Sequence, residues 1–145
     1  FAPSGSRPSA GPEKYILFVG RWDMRKNIPA LMRAYSAVSR EIPHQLVIAG
    51  RPADRAIDLR RTAQELEIET KVHFMENVSY DDLPALYSGA DLFVFPSIVE
   101  GWGFPPLEAM ACGTPVIVSD GAPMGEVVGQ AARVVPFSTD RLSEG

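Results

Sequence analysis

Residues 90–120 run ADLFVFPSIVEGWGFPPLEAMACGTPVIVSD and read as strand, glycine-bearing loop, helix and second strand. The apolar run at 91–95 stops at Pro96, as a strand buried on both faces of a parallel sheet would. Pro105 and Pro106 suit the first turn of a helix, where their missing N–H groups would find no intrahelical partner anyway. That helix is expected over residues 105–112 and ends at Gly113, a residue suited to the left-handed C′ position. Pro115-Val116-Ile117-Val118 then resumes the sheet. In the loop between, Gly101 and Gly103 allow the backbone to approach a ligand closely. Glu100 lies just before these glycines and Glu108 just inside the helix, so one loop mouth combines free amides with two carboxylates.

Such a mouth has a definite chemistry. A helix N-terminus offers unpaired N–H groups and the positive end of the macrodipole, which together bind phosphate. Carboxylates accept hydrogen bonds from hydroxyls, and a sugar ring presents hydroxyls in pairs. Amides for phosphate beside carboxylates for sugar describe a nucleotide-sugar site. A dinucleotide site competes with this reading, because residues 101–106, GWGFPP, approximate G-x-G-x-x-G, and Asp120 follows near the position of a ribose-binding acid. Pro106 in place of the third glycine weighs against it. So does the insertion of residues 97–100, where the dinucleotide fingerprint has a tight turn.

Composition bounds the remaining possibilities. A chain of 145 residues is one domain's worth, enough to bury roughly two-thirds of its unfolded surface. Apolar residues make up 46% and charged residues 22%, which describes an ordinary globular protein. A net charge of −4 with no basic stripe gives no footprint for nucleic acid. No apolar run approaches the roughly 20 residues needed to span a bilayer, and the first residues lack the charged and apolar regions of a signal peptide. The single cysteine, Cys112, suits a reducing compartment and reads as a buried structural thiol. The expectation is therefore a cytoplasmic location, with no membrane association predicted. His44 and His73 have no partner at ligand spacing, so no metal site is expected.

Taken in order, residues 1–13 (FAPSGSRPSAGPE) are a linker or tail, and residues 14–145 form the folded domain. Strands are expected at 15–19, 45–50, 72–74 and 133–135 in addition to the two of the central stretch. Asn27 is placed to cap a helix whose apolar residues Ile28, Leu31, Met32, Tyr35 and Val38 share one face. Residues 54–67 form a polar helix, and Ser79-Tyr80-Asp81-Asp82 has the spacing of a capping box before a short helix ending at Gly89. A helical turn is expected at 124–128. Strand and helix alternate throughout, which argues for an α/β, Rossmann-like open parallel sheet with helices on both faces.

Sheets of this kind bind ligands beyond the carboxyl ends of their strands. Gly20-Arg21, Gly50-Arg51, Asn77 and the 97–103 loop all follow strands and converge on that edge. Arg21 and Lys26 are the cations best placed to meet a diphosphate over the central loop, Arg as a fork and Lys as a point charge.

The ordered segments GRWDMRKN (20–27), LVIAG (46–50), VSYDDLPALYSGADLFVFPSIVEGWGFPPLEAMACGTPVIVSD (78–120) and EVVG (126–129) resemble the C-terminal, donor-binding half of glycosyltransferase family 4, which has the two-domain GT-B architecture and retaining chemistry. The resemblance covers residues 15–140. Its most specific part is the pair Glu100 and Glu108 within EGWGFPPLEAMACGTPV. Trp102 departs from the phenylalanine more frequent there.

The resemblance implies a role for each matching residue. Arg21 and Lys26 would bind the diphosphate and stabilise the departing nucleoside diphosphate. Glu100 would contact the donor sugar near the reacting centre. The amides of Gly101, Trp102, Gly103 and Phe104 would meet sugar and phosphate, and Glu108 would accept both hydroxyls of the ribose. The resemblance implies a donor that is a nucleoside diphosphate sugar carrying a hexose (mannose or glucose), no cofactor and no metal. It also implies an N-terminal acceptor-binding domain as partner, without which this chain would bind donor but transfer nothing. Two alternatives stay open on the residues alone: a non-catalytic nucleotide- or phosphate-binding module, and an NAD-binding Rossmann domain.

Overall fold

The computed structural model describes residues 11–52, 58–97, 104–119 and 133–135. The expected turn at 124–128, the ends of the chain and residues 53–57 lie outside them. Among these residues six strands form one parallel sheet: β1 (Tyr15–Val19), β2 (Gln45–Gly50), β3 (Val72–Glu76), β4 (Leu92–Phe95), β5 (Val116–Ser119) and β6 (Arg133–Val135). Their order across the sheet is β3-β2-β1-β4-β5-β6. The chain thus winds outward from β1 to one edge, returns to the centre and winds outward to the other.

Among the described residues, four helices connect the strands: α1 (Ile28–Val38), α2 (Leu59–Glu65), α3 (Leu83–Gly89) and α4 (Phe104–Ala111). Parallel crossovers are right-handed, so reversing the winding direction changes the face that the helices cover. Accordingly α1 packs beside α2 and α3 beside α4. Register and ring contacts identify the two faces. Phe74 is level with Ile48 and carries Arg60 of α2 over its ring, 4.9 Å from the centroid. Phe93 is level with Leu17 on the opposite face, and its ring packs against Tyr87 of α3 at 5.5 Å. Leu17, Leu46, Val47, Ile48, Phe93 and Phe95 are all buried between these helix layers. Burial of each such side chain contributes about 1.5–3 kcal/mol, which is why the inner strands read as uninterrupted apolar runs.

Local details depart from the sequence reading in three places. The Asn27 side chain makes no capping bond to α1. Its backbone is left-handed at φ 56, and its main chain serves both neighbours: its N–H donates to Met24 at 3.2 Å and its carbonyl accepts from Ala30 at 3.1 Å. Asparagine tolerates that conformation better than most residues. The expected capping box at residues 79–82 is instead a 3-10 turn, Tyr80–Asp82, in which the Ser79 hydroxyl donates to the Asp82 carboxylate at 2.8 Å. A capping box needs the longer Glu or Gln to reach back to the cap amide. The polar helix is shorter than residues 54–67: α2 begins after Asp58, whose carboxylate accepts from the Arg61 amide at 3.0 Å.

Candidate functional site

Two glycine-closed strands shape the carboxyl edge of the sheet. Gly20 follows β1 and Gly50 ends β2, and the chain continues in parallel for one further rung, a bridge between Trp22 and Pro52. The Gly20 amide donates to Ala49 at 3.0 Å and the Trp22 amide to Arg51 at 2.9 Å. Gly50 has φ 146, and a Cβ there would overlap the Gly20 carbonyl and lie 3.2 Å from the Trp22 indole nitrogen. The two backbones therefore approach more closely than any side chain would allow. Trp22, in the charged loop RWDMRK (21–26), is 2% exposed and edges onto Phe74 at 5.6 Å.

At this edge opens a cleft of about 490 Å³, lined by Gly20, Arg21, Gly50, Arg51, Asn77 and Leu83 among others. Three of the loops expected to converge there do so, those after β1, β2 and β3. Arg21 and Arg51 are exposed along it, and no carboxylate lines it among the described residues.

Lys26 is not part of this lining. It belongs to a 3-10 turn, Met24–Lys26, and its ammonium lies over the Phe95 ring at the end of β4, 5.5 Å from the centroid. Buried hydroxyls hold the turn there. Ser97 Oγ donates to the Arg25 carbonyl at 3.2 Å, and Ser119 Oγ donates to the Ser97 carbonyl at 2.7 Å. This relay joins the loop after β1 to the ends of β4 and β5. Lys26 thus stands where the winding of the sheet reverses, and Arg21 stands on the β1–β2 side.

Glu108, in the second turn of α4, is half-buried. Its Oε2 accepts a 3.0 Å hydrogen bond from the Tyr87 hydroxyl of α3. Burial pushes the Glu108 carboxyl above the usual carboxylate range, and the Tyr87 hydrogen bond pulls it partly back. The same burial, with the carboxylate alongside, drives the Tyr87 phenol well above its ordinary value. Leu83 and Tyr87 are four residues apart and so share a face of α3. One lines the cleft and the other holds Glu108, so the helix connects the cleft to the carboxylate.

Phe104 is the first residue of α4, and Glu100, Gly101, Trp102 and Gly103 fall outside the described residues, as does Asp120. The sequence placed Arg51 at the carboxyl edge without a contact of its own, gave no role to Tyr87, and did not show that Trp22 is buried. A lone Trp among charged neighbours was the available signal for the last. Cys112 is buried and free, as expected of a structural thiol. His44 meets the Asp91 carboxylate at 3.0 Å, and His73 pairs with Gln45. Among the described residues no three His, Cys, Asp or Glu side chains are grouped to hold a metal, and no helix is long and apolar enough to cross a membrane.

An open parallel sheet with this winding and a cationic cleft at its carboxyl edge defines a nucleotide-binding type of α/β domain. The chain belongs to the group 1 glycosyl transferases, whose family profile matches residues 4–144. It is 36% identical over 132 residues to the O-antigen chain mannosyltransferase B of Escherichia coli, covering 89% of this chain and 35% of that protein. It is 41% identical over 123 residues to the O-antigen chain mannosyltransferase RfbU of Salmonella typhimurium, covering 85% and 34%. Among solved structures, sucrose-phosphate synthase from Thermosynechococcus elongatus is 31% identical with a TM-score of 0.78, covering 91% of this chain and 35% of that one. The structural neighbours have the GT-B fold. The chain spans about a third of the length of these relatives.

Proposed function

We propose that this chain is the donor-binding, C-terminal half of a retaining family 4 glycosyltransferase that moves a hexose from a nucleoside diphosphate sugar to a glycan or lipid acceptor. The observation that carries this reading is a cationic cleft at the sheet edge together with a half-buried carboxylate, Glu108, held by Tyr87 one turn along α3 from the cleft-lining Leu83. The base enters the cleft over Gly20 and Gly50, and Glu108 accepts the ribose hydroxyls. Arg21 and Lys26 face the diphosphate. As the anomeric carbon exchanges its bond to the diphosphate for one to the acceptor's hydroxyl oxygen, the electron pair of the broken bond moves to the diphosphate, which takes up the hydroxyl proton, and the two cations offset the charge that develops. Glu100 and the backbone at Gly101, Trp102, Gly103 and Phe104 contact the sugar. Fixed cations and helix amides take the part that a metal plays in other transferases. Mannose is the favoured hexose, on the strength of the two O-antigen mannosyltransferases.

Calorimetric titration with UDP, GDP, ADP and NAD, without added metal, tests this. One nucleoside diphosphate binds, and Arg21→Ala, Lys26→Ala and Glu108→Ala each weaken it by about tenfold, the scale of one charged hydrogen bond. Binding of NAD alone would overturn the reading in favour of a dinucleotide site. A second domain supplies the acceptor, so the isolated 145-residue chain binds donor without transferring sugar. Turnover by the purified chain would refute that part.

A further inference from the structure

We propose that Tyr87 is a positioning residue for donor binding, which holds Glu108 by one carboxylate oxygen so that the other is presented to the ribose diol. The proposal rests on the reading of Glu108 as the ribose acceptor. A glutamate side chain has three rotatable bonds, and one that must accept from two adjacent hydroxyls gains affinity when its orientation is set beforehand. The structure supplies such a restraint. Tyr87 has no exposed surface, so its hydroxyl cannot swing away to solvent. Its ring packs against Phe93 of β4 at 5.5 Å.

Its backbone is held as well. The Tyr87 carbonyl accepts from the buried Thr114 hydroxyl at 2.5 Å and from the Ala90 amide at 3.1 Å. Thr114 follows α4, and its own amide donates to Ala109 at 3.0 Å, so both ends of the Tyr87–Glu108 contact belong to one braced corner. The hydroxyl donates to Oε2, and Oε1 has no protein partner among the described residues. Tyr87 also acts on charge. Its donated hydrogen bond favours the ionised carboxylate against the burial that disfavours it, and only the ionised form accepts at both oxygens.

The test compares UDP, GDP and ADP with their 2′-deoxy analogues by calorimetry, on the parent protein, Glu108→Gln and Tyr87→Phe. Tyr87→Phe keeps the buried ring and removes one oxygen, and its melting curve reports that the fold is retained. The parent protein prefers the ribonucleotide by about tenfold, the worth of a charged hydrogen bond. Glu108→Gln removes most of that preference. Tyr87→Phe, in which the carboxylate remains but is no longer oriented, is expected to lower the ratio to about threefold while leaving affinity for the 2′-deoxy nucleotide, which is held through its phosphates, near the parent value. A purely structural tie between α3 and α4 would lower the melting temperature and leave the ratio unchanged. A parent-like ratio in Tyr87→Phe, with the preference lost in Glu108→Gln, overturns the proposal and leaves the role of Glu108 standing. No ribose preference in the parent protein removes the role of Glu108, and the positioning role with it.

Discussion

At the scale of single residues, the ribose-binding role proposed for Glu108 sets binding against stability. Its carboxyl is pushed up by burial, so the fold disfavours the charge that the ribose would need. The sign of the consequence follows from linkage. A carboxyl whose pKa is higher in the native state keeps its proton there over a pH range in which the unfolded chain has already lost it. Stability from this group is therefore full below the ordinary glutamate range and is lost as pH rises through the raised native value. Glu108→Gln keeps an oxygen that accepts from Tyr87 and carries no charge to desolvate. We expect its melting temperature at pH 7 to exceed the parent's by about 1–3 °C, a modest figure because the side chain is only half-buried and solvent screens it. The advantage should vanish below about pH 4, where the parent side chain is protonated even when unfolded. Melting curves at the two pH values check this. A variant less stable than its parent at pH 7 would show that the charge is stabilised by its surroundings.

At the scale of elements, the ends of β1 and β2 carry the tightest constraint, because Gly50 lies against the Gly20 carbonyl and beside the Trp22 indole. Gly50→Ala places a Cβ onto backbone, which cannot rotate away, and does so at a φ that side chains rarely adopt. The expected cost is about 2–3 kcal/mol, read as a fall of roughly 8 °C or more in melting temperature. Nucleotide affinity should fall with it, since the same glycine floors the cleft. An unchanged melting temperature would mean that the two strand ends can part at little cost. That a glycine closes both strands was legible in the sequence, and β1 and β2 lie where the apolar runs predicted. Buried parallel strands announce themselves in that way, and their flanking glycines mark the turns. The convergence of the loops after β1, β2 and β3 was legible too, because alternation of strand and helix implies a common carboxyl edge. Side-chain partnerships were not. Nothing in YSGAD or PPLEAM states that Tyr87 reaches Glu108 across 21 residues, because the contact depends on how α3 and α4 pack. The side-chain cap expected of Asn27 failed for a similar reason: the preceding 3-10 turn sets its backbone, and the main chain then does the capping.

For the whole molecule, the distribution of charge matters more than its sum. The chain carries a net charge of −4, which alone would repel a nucleoside diphosphate. The carboxyl edge of the sheet is arranged otherwise. Arg21 and Arg51 line the cleft, and Lys26 stands over Phe95 where the winding reverses. Nearby carboxylates are drawn off by other cations: Asp23 is 3.9 Å from Arg25, and Glu76 is 3.6 Å from Arg60. On the proposed function the site attracts phosphate through these charges, and such attraction is screened by salt, with a Debye length of about 14 Å at 50 mM falling to about 4 Å at 500 mM. Affinity for the preferred nucleoside diphosphate should drop several-fold between those two salt concentrations. The corresponding nucleoside, which lacks phosphate, should bind weakly and nearly equally at both. Titrations of diphosphate, monophosphate and nucleoside at the two salt concentrations separate the contributions, with salt sensitivity increasing with phosphate number. Equal sensitivity for all three would mean that Arg21, Arg51 and Lys26 do not meet the phosphates, and that affinity comes from the base and ribose alone.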